Sequence, residues 1–417
     1  MHVVLLNQPF YPDVAATAQM AKDLADHLVA RGHTVTAVCS RSIYGQQGAT
    51  LPKRETIDGI QIRRVGSNIF GKKGIAARLA DFGLFYLLAT WTVLTLPKPS
   101  VVVGFTTPPF IAFVGVLARW LRGAKAVYWV MDVYPDVPMA CGVMKPSSPI
   151  TKLCAWFNRF LLKRSDTSVV LGRCMRDLVI NHGAPPERVA LIPVWADHSG
   201  ISPIAPHESA YRSKWELGDR FVVMYSGNLG LAHDADTMID AMERLKDNER
   251  IRFVFVGGGK LRGKVEAAIE DRTLTNAEWH EYVPREDLGQ SLTAADVHLI
   301  SVKNGLEGTI VPSKLFGVMA AGRASVYIGR PTSEIARVLD ETAGGVLVEQ
   351  GDGEGLARVL TELADDPDRV RQMGAAARRA LEGQYDAQTL CGEWTDLLEA
   401  LVAGPASTSD DTTNTAS

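Results

Sequence analysis

Cysteine is scarce in this sequence of 417 residues. There are five cysteines, an odd number, and no two are spaced as C-x-x-C. Scattered cysteines in an odd number argue against a disulfide framework and against a zinc site built from cysteines. Such a chain is typical of a reducing compartment, so we expect a cytoplasmic protein.

An excess of charge of one sign is also absent. The chain has 44 Lys and Arg residues against 47 Asp and Glu residues, which gives a net charge of −3. Nucleic-acid binding usually requires a basic excess or a basic stripe, so we expect no nucleic-acid partner. The length predicts two domains or slightly more, each large enough for its own core.

Long hydrophobic runs are few. The uncharged run at 82–97 is shorter than the ~20 residues that a membrane span requires. The run at 99–117 is interrupted by "TTPP" at 106–109. The opening "MHVVLLNQPF" lacks a basic region and predicts a buried strand rather than a signal peptide. We therefore do not expect an integral membrane protein.

Basic residues precede the run at 82–97, and they leave two interpretations open. They are Arg63, Arg64, Lys72, Lys73 and Arg78. A basic surface beside an apolar helix can bind anionic lipid, which predicts peripheral contact with a membrane. The alternative is a core helix beside a solvated basic face.

Several catalytic motifs are missing. No G-x-G-x-x-G follows the first strand, which disfavours a dehydrogenase. "VGGGKLRGKV" approximates a P-loop, but Val265 stands where Ser or Thr is needed, which disfavours ATP hydrolysis. There is no G-x-S-x-G and no H-E-x-x-H, so serine and zinc hydrolases are also disfavoured.

Strand and helix patterns alternate along almost the whole chain. "HVVLL", "TVTAVCS" and "AVYWVMD" are strands of the first half, and "FVVMYSG", "IRFVFVGGG" and "DVHLISV" of the second. This rhythm predicts an α/β protein with two consecutive parallel sheets. The pattern fades at 197–206, which predicts a linker between domains at 1–200 and 207–386. Residues 403–417 lack large apolar side chains and are expected to form a disordered tail.

Polar residues follow two of the predicted strands. In "VMDVYPDVPM", Asp132 lies at the carboxyl end of a strand, where α/β proteins keep functional side chains. In "YSGNLGLAHDADTMIDAM", Gly227 leaves the backbone accessible, while Asn228 and His233 can donate hydrogen bonds to phosphate. The "DAD" that follows resembles a metal-binding pair, but helix capping by Asp234 or Asp236 is the simpler explanation.

The segment "GLEGTIVPSKLFGVMAAGRASVYIG" at 305–329 places Lys314 in the first turn of a predicted helix. A cation is unfavourable there because the helix macrodipole is already positive. With Pro312 near N1 and Ser313 beside it, the ammonium, a hydroxyl and free backbone N–H groups suit a diphosphate. The alternative is an exposed lysine without a role.

These pieces, with "NQPFYPDVAATAQMAKDLADHLVARGHTVTAVCSR", "TTPPF", "IPVWAD" and "VPREDLGQSLTAADVHLISV", have the order and spacing of a known family. The chain resembles family-4 glycosyltransferases, especially those of bacterial O-antigen, capsule and colanic-acid synthesis. The resemblance implies the GT-B fold, which has two Rossmann-like parallel-sheet domains facing across a cleft. The first domain, completed by a helix at 387–402, would bind the acceptor. The second would bind a nucleotide sugar.

The resemblance also implies a reaction. A hexosyl or N-acetylhexosaminyl group would pass from a nucleotide-diphosphate sugar to a saccharide acceptor, with retention at the anomeric carbon and no obligatory metal or other cofactor. The acceptor is often linked to polyprenyl diphosphate, which fits a cytoplasmic protein peripheral to the inner face of the membrane. A nucleotide-sugar 2-epimerase on the same scaffold and a non-catalytic nucleotide-sugar-binding partner are the alternatives.

Site residues follow from the resemblance by position. The acceptor would meet Ala15, Ala16, Thr17, Asp132 and Tyr134, and the catalytic residues would be Lys314 and Asp132. The donor would meet Gly227, Asn228, His233, Val283, Arg285, Glu307, Gly308, Thr309, Ile310, Ser313 and Lys314.

The sequence departs from the family pattern at several of these positions. The acidic pair E-x7-E would fall at Thr309 and Gly317, and neither is acidic. Asn228 and His233 stand where the family has Arg and Lys. Lys314 is therefore expected to be the main cation for the diphosphate.

Overall fold

The computed structural model describes residues 1–13, 15–42, 50–66, 75–196 and 200–404, without the side chains of residues 75–79. Part of the linker expected at 197–206 lies outside the described residues. The same holds for the expected tail from residue 405 onward, and for Lys72, Lys73 and the side chain of Arg78.

The first half of the chain forms an eight-stranded sheet in the order β3-β4-β2-β1-β5-β6-β7-β8. Its strands are β1 (His2–Leu6), β2 (Thr34–Ser40), β3 (Arg54–Ile57), β4 (Ile60–Val65), β5 (Val101–Gly104), β6 (Lys125–Val130), β7 (Thr167–Val170) and β8 (Val189–Leu191). Its helices are α1 (Ala16–Ala30), α2 (Ile75–Thr95), α3 (Phe113–Arg122), α4 (Asp136–Ala140), α5 (Pro149–Arg164) and α6 (Arg173–Asn181).

The second half forms a six-stranded parallel sheet in the order β11-β10-β9-β12-β13-β14. Its strands are β9 (Phe221–Asn228), β10 (Ile251–Gly258), β11 (Ala277–His280), β12 (Val297–Ser301), β13 (Ala324–Ile328) and β14 (Gly345–Val348). The helices are α7 (Ala210–Lys214), α8 (Asp236–Arg244), α9 (Arg262–Asp271), α10 (Leu288–Thr293), α11 (Lys314–Ala320), α12 (Glu334–Thr342), α13 (Gly353–Asp365), α14 (Pro367–Gln384) and α15 (Ala387–Ala403).

Hydrophobic runs explain why the central strands of both sheets form. All five residues of β12 and of β13 are buried, as is typical of parallel strands covered on both faces. In the second sheet the strand order reverses between β9 and β12. Ligands of open α/β sheets bind at the carboxyl ends of the strands at such a switch point.

The chain divides into two compact units. Among the described residues, one comprises those of Met1–Tyr128, Arg164–Thr167 and Cys391–Gly404, and the other comprises those of Trp129–Lys163 and Ser168–Leu390. Within the first unit, the C-terminal part of α15 is held by Arg31 and His33. His33 Nε2 lies 2.8 Å from Glu399 Oε1, and Arg31 Nη2 donates to Asp396 Oδ1 at 3.2 Å.

One element has no counterpart in the sequence prediction. Strands β3 and β4 form an antiparallel hairpin whose turn is Asp58-Gly59, both with positive φ (52° and 80°). An Asp-Gly pair with two left-handed residues is the usual signature of a tight hairpin turn. In β4 Arg64 is buried and paired with Glu55, so the expectation that it belongs to a lipid-facing basic surface is wrong.

The apolar helix predicted at 82–97 is part of α2. Phe85, Ala89 and Val93 are buried, whereas Leu87 and Trp91 are 72% and 71% exposed. Within the described ranges, the structure contains no helix that is both long enough and apolar enough to span a bilayer.

Two glycines of α14 test how closely this helix packs against the turn that contains Gly322. A Cβ at Gly374 would lie 2.2 Å from the carbonyl oxygen of Gly322, whereas a Cβ at Gly383 meets nothing within 4 Å. Gly374→Ala should lower the free energy of unfolding by about 1–3 kcal/mol, because the overpacked backbone must shift. Gly383→Ala should change it little or raise it by about 0.5 kcal/mol through helix propensity. Urea unfolding of both variants measures the difference. Equal changes in the free energy of unfolding would contradict the close contact between α14 and Gly322.

Candidate functional site

The carboxyl ends of β9 and β12 bring together four residues that the sequence singles out. Gly227 and Asn228 end β9, His233 lies in the loop that follows, and Lys314 begins α11. Direct contacts with Lys314 join the other three. The site lies at the switch point of the second sheet, where a ligand is expected from the fold.

The Lys314 ammonium is the centre of this group. Its Nζ donates to the Tyr225 hydroxyl and to the Asn228 carbonyl oxygen (2.9 Å), and lies 3.1 Å from His233 Nε2. No carboxylate forms an ion pair with it in the part of the chain that the structure describes. Burial lowers the pKa of Lys314 to about 7, because the charged form is desolvated without a counter-ion.

His233 supports the lysine rather than facing outward. Its Nδ1 lies 2.6 Å from the Ser301 carbonyl oxygen, so Nδ1 carries the proton and Nε2 accepts from Lys314. Burial, and secondarily the charge of Lys314, lowers the pKa of His233 to about 3, which keeps the ring neutral. The expectation that His233 donates to phosphate is therefore revised: in this arrangement it orients Lys314.

Glycines allow the strand ends to approach one another. Gly227 has φ of 117°, and a Cβ there would lie 2.9 Å from Lys314 Cε. Gly257 has φ of 124°, and a Cβ there would lie 2.5 Å from the Gly227 carbonyl oxygen. The "GGG" of the P-loop-like segment thus brings the end of β10 into close backbone contact with the end of β9.

The start of α8 differs from the predicted capping by Asp234 or Asp236, because Ala235 is the N-cap and makes no side-chain capping bond. Asp234 lies one residue earlier: its Oδ1 accepts from the backbone N–H of Asp236 at 3.1 Å, and its Oδ2 accepts from the Thr237 hydroxyl. One backbone N–H of the first turn is thereby satisfied.

The start of α11 differs in detail from the prediction. Ser313 is the N-cap, without a side-chain capping bond, and Lys314 is the first helical residue. Pro312 therefore lies before the N-cap rather than at N1. The Ser313 side chain and Lys314 emerge at the same end of a short helix.

The segment expected to contact the nucleotide base follows β11. Val283 is half-buried against the core, and Arg285 is exposed at the start of a short 3-10 turn. Sequence reasoning missed their neighbour Tyr282, which is 61% exposed. Its ring lies beside the backbone of Gly257 and Gly258, since a Cβ on either glycine would come within 3.2 Å of it.

The segment expected to contact the sugar is a tight loop. Glu307 Oε2 accepts from the Gly305 backbone N–H at 2.8 Å, and its Oε1 lies 3.6 Å from Arg330 Nε. Gly308 has φ of 76°, and a Cβ there would lie 2.7 Å from the Cys174 carbonyl oxygen. The Glu307 carboxylate is thus held by its own loop and by one arginine.

Thr309 is used internally. Its N–H and hydroxyl both bond to the Leu306 carbonyl, and its own carbonyl accepts from the Val133 N–H at 3.0 Å. We therefore revise its role from a sugar contact to a brace of the loop.

Asp132 lies against this same loop. A single antiparallel bridge pairs Asp132 with Ile310, within one compact unit. Burial raises the pKa of Asp132 to about 6 and that of Tyr134 to about 12. A carboxylate with a raised pKa near the operating pH is suited to accept a proton.

The remaining acceptor candidates are in the other unit. Ala15 is the N-cap of α1, its backbone N–H donates to Asp13 Oδ1 at 3.0 Å, and Ala16 and Thr17 begin the helix. Ala16 is exposed and Ala15 and Thr17 are half-buried.

Lys303, the second residue after β12, is a further cation that the sequence reasoning did not assign. Its backbone N–H donates to the Ala232 carbonyl at 2.9 Å, and its charge contributes to the lowered pKa of His233. It follows directly after "DVHLISV", so its position at a strand end was the available signal.

Comparison with protein families matches two models to this chain. A glycosyl transferase 4-like domain matches residues 16–195, and the glycosyl transferases group 1 model matches residues 208–380.

Individual relatives agree with these matches. The chain is 28% identical to the probable glycosyltransferase WbjE of Pseudomonas aeruginosa over 69% of this chain and 71% of that protein. It is 24% identical to the putative colanic acid biosynthesis glycosyl transferase WcaI of Escherichia coli K12, over 84% and 88%.

Two solved structures share the fold. WaaG, a glycosyltransferase involved in lipopolysaccharide biosynthesis, superposes with a TM-score of 0.70 at 19% identity and covers 95% of this chain and 99% of its own. Anabaena HepE in complex with UDP-glucose superposes with a TM-score of 0.71 at 14% identity, over 96% and 99%. The chain has two α/β domains, and the two family models match them in order. Together with these relatives, this shows that the chain belongs to the family-4 glycosyltransferases and has the GT-B fold.

Proposed function

We propose that this glycosyltransferase moves a sugar from a nucleotide-diphosphate sugar to a saccharide acceptor, with retention, during synthesis of a cell-surface polysaccharide. The observation that carries the proposal is the Lys314 ammonium, which is desolvated at the switch point of the second sheet without a carboxylate among the described residues. UDP-glucose bound to HepE and the colanic-acid role in the name of WcaI point to the same substrate classes.

The diphosphate fits the charge of this site. A buried cation without an anion is costly, and a phosphate oxygen would supply the missing partner. The backbone at Gly227 has no side chain to block close approach, and the start of α11 adds N–H groups. The diphosphate would bind between Gly227, Ser313 and Lys314.

The nucleoside would extend from there along the end of β10. The exposed Tyr282 ring over Gly257 and Gly258 offers a flat face for a base, and Arg285 is the next exposed polar side chain along the loop. Stacking of a base on an aromatic ring contributes about 1–3 kcal/mol.

Catalysis would depend on stabilising the leaving group. Lys314 and the helix N–H groups would disperse the charge that grows on the departing diphosphate, with no obligatory metal. Asp132, bridged to Ile310 beside the sugar loop, would orient or deprotonate the acceptor hydroxyl. The hydroxyl would attack the face that the diphosphate leaves, which retains the anomeric configuration.

The acceptor is proposed to be lipid-linked and met at the inner membrane surface. Four large apolar side chains are exposed on two helices: Leu87 and Trp91 on α2, and Trp120 and Leu121 on α3. The two helices are neighbours, because Arg122 of α3 donates to the Leu96 carbonyl, just beyond the end of α2, at 3.2 Å. Two neighbouring helices in one unit thus expose large apolar side chains beside basic ones, a pattern that suits an interfacial surface.

Replacing Lys314 tests the donor site. Lys314→Ala should reduce turnover by on the order of tenfold to a thousandfold, the range for loss of one charge-stabilising group. Lys264→Ala is the matched control, because Lys264 is half-exposed and paired with Asp236 at 2.5 Å. The measurement is release of nucleoside diphosphate from a panel of nucleotide sugars with saccharide acceptors, in EDTA and with added Mg²⁺.

Several outcomes would contradict the proposal. Wild-type turnover by Lys314→Ala would contradict the role of Lys314 in stabilising the leaving group. Loss of turnover in EDTA would contradict a mechanism without a metal. Donor binding without transfer would favour the non-catalytic alternative, and a new sugar isomer formed from donor alone would favour the epimerase. NMR of the product's anomeric proton tests retention.

The pH profile tests both catalytic assignments together. Asp132 must be deprotonated, which holds above a pKa of about 6, and Lys314 must be protonated, which holds below a pKa of about 7. Because kcat/KM reports the free enzyme, it should be bell-shaped with limbs near these values. The residual activity of Asp132→Asn should lack the acidic limb, and Lys314→Arg, which stays charged, should lack the alkaline limb. A profile unchanged in both variants would contradict the assignments.

Vesicle binding tests the membrane surface. The double substitution Leu87→Ser with Trp91→Ser should weaken sedimentation with vesicles that contain anionic lipid by at least about tenfold, since each buried side chain contributes about 1.5–3 kcal/mol. Leu347→Ser, at an exposed leucine of the second sheet, is the control. Equal vesicle binding by the double variant and the control would rule out this surface.

A further inference from the structure

A separate cavity of about 760 Å³ lies at the amino-terminal ends of the central strands of the second sheet. Its lining includes Phe221 at the start of β9, Asp296 before β12 and Arg323 before β13. The Lys314 site lies at the other end of the same strands. Because the eight residues of β9 are separated by successive rises of ~3.3 Å, its first and last residues are roughly 23 Å apart.

The lining of this cavity is rich in arginine. Five arginines face it against three acidic residues, which are Arg212, Arg220, Arg250, Arg323 and Arg371, and Asp219, Glu249 and Asp296. Leu217, Phe221 and Val370 add apolar surface. Arg250 and Arg371 are paired with Asp365 and Asp368 outside the lining. The positive excess therefore lies in the buried part of the cavity, at Arg212 and Arg323, beside apolar walls. The volume lies in the usual range for small-molecule sites.

Arg212 is buried and fully paired. Its Nη2 forms an ion pair with Asp296 Oδ2, and its Nε donates to the Ala294 carbonyl at 2.9 Å. Its Nη1 donates to the Gly218 carbonyl at 3.0 Å. The same Asp296 oxygen also accepts from the Val222 N–H at 2.7 Å. The charge of Asp296 is thus already engaged by one guanidinium.

Arg323 is buried, and none of the carboxylates that the structure describes forms an ion pair with it alone. It is 9% exposed, its Nη2 donates to the carbonyls of Ile204 and Thr293, and its Nε is buried with no hydrogen-bond partner among the described residues. Burial lowers its pKa to about 10, Asp296 opposes this shift, and the charge of Arg212 adds to it. Two buried guanidiniums therefore share one carboxylate.

We propose that this cavity is a second ligand site that binds the phosphate group of a small phosphorylated molecule. A buried positive charge in excess is costly, and an oxyanion beside Arg323 offsets it. Guanidinium groups match phosphate geometry. At the exposed rim, Arg220 donates to the carbonyls of Glu216 and Leu217 and adds charge, and Arg371 is shared with Asp368. The apolar walls contact the rest of the molecule. The site does not depend on the proposed donor site.

Glycerol 3-phosphate is the probe, with glycerol as the uncharged control and inorganic phosphate as the free anion. In calorimetry and thermal unfolding of the full chain, glycerol 3-phosphate should bind and raise the Tm, and glycerol should not. Arg323→Gln should weaken binding at least about tenfold, as expected for loss of a charged hydrogen bond. Arg371→Gln at the rim should weaken it about twofold to threefold through lost charge.

The controls separate this site from the donor site. Arg358→Gln removes a side chain as exposed as Arg371 (67% against 68%) but outside the cavity, and should leave binding unchanged. Lys314→Ala should also leave it unchanged. Tighter binding of glycerol 3-phosphate than of phosphate indicates an organic ligand, and equal affinity indicates the free anion.

Absence of binding by the wild-type chain would overturn the proposal, as would binding lost in Lys314→Ala but kept in Arg323→Gln. Should Arg323→Gln fail to fold, the two rim variants Arg220→Gln and Arg371→Gln provide the test. Wild-type affinity for glycerol 3-phosphate in both of them would overturn the proposal.

Discussion

The arrangement of the candidate site depends on one ammonium group that is desolvated without a carboxylate partner from the described ranges of the chain. Lys314 is held by a phenol, a backbone carbonyl and a neutral imidazole, from Tyr225, Asn228 and His233. These partners orient the ammonium without neutralising it. A carboxylate in their place would stabilise the charge and would also compete with an incoming phosphate. The site therefore keeps its positive charge available for a ligand.

The surrounding backbone is arranged around this group. A side chain at Gly227 would meet Lys314 Cε, and a side chain at Gly257 would meet the Gly227 carbonyl oxygen. The Ser301 carbonyl fixes the tautomer of His233, which in turn fixes the direction of the lysine.

The two charged regions of the second sheet lie at opposite ends of the same strands. One is built around Lys314, and the other around Arg212 and Arg323.

Much of the fold was predictable because it depends on local patterns. Buried β-branched runs followed by amphipathic helices identify parallel sheets, and the order of motifs identified the family. The β3–β4 hairpin was missed although its Asp58-Gly59 turn is a local signal. Burial of Arg64 could not be predicted, because it depends on pairing with Glu55 across that hairpin.

The candidate site was predictable in position but not in detail. Lys314, Gly227 and His233 were expected to meet one diphosphate because the family resemblance implies it. The role of His233 depends on which ring nitrogen faces Ser301, and that orientation is set by tertiary contacts. Tyr225 was not singled out because a tyrosine within a buried strand usually belongs to the core. Its hydroxyl reaches the site only because it lies three residues before the end of β9.

The central claim is that Lys314 carries an uncompensated charge that a diphosphate neutralises. Carbon-13 NMR of lysines labelled at Cε, with the Lys314 signal assigned by its absence in Lys314→Arg, measures this titration directly. In the free protein the pKa should be near 7, well below the ordinary 10.5. Saturation with the donor nucleotide sugar should raise it, because a nearby anion favours the charged form. A free pKa near the ordinary value that the donor leaves unchanged would contradict the account.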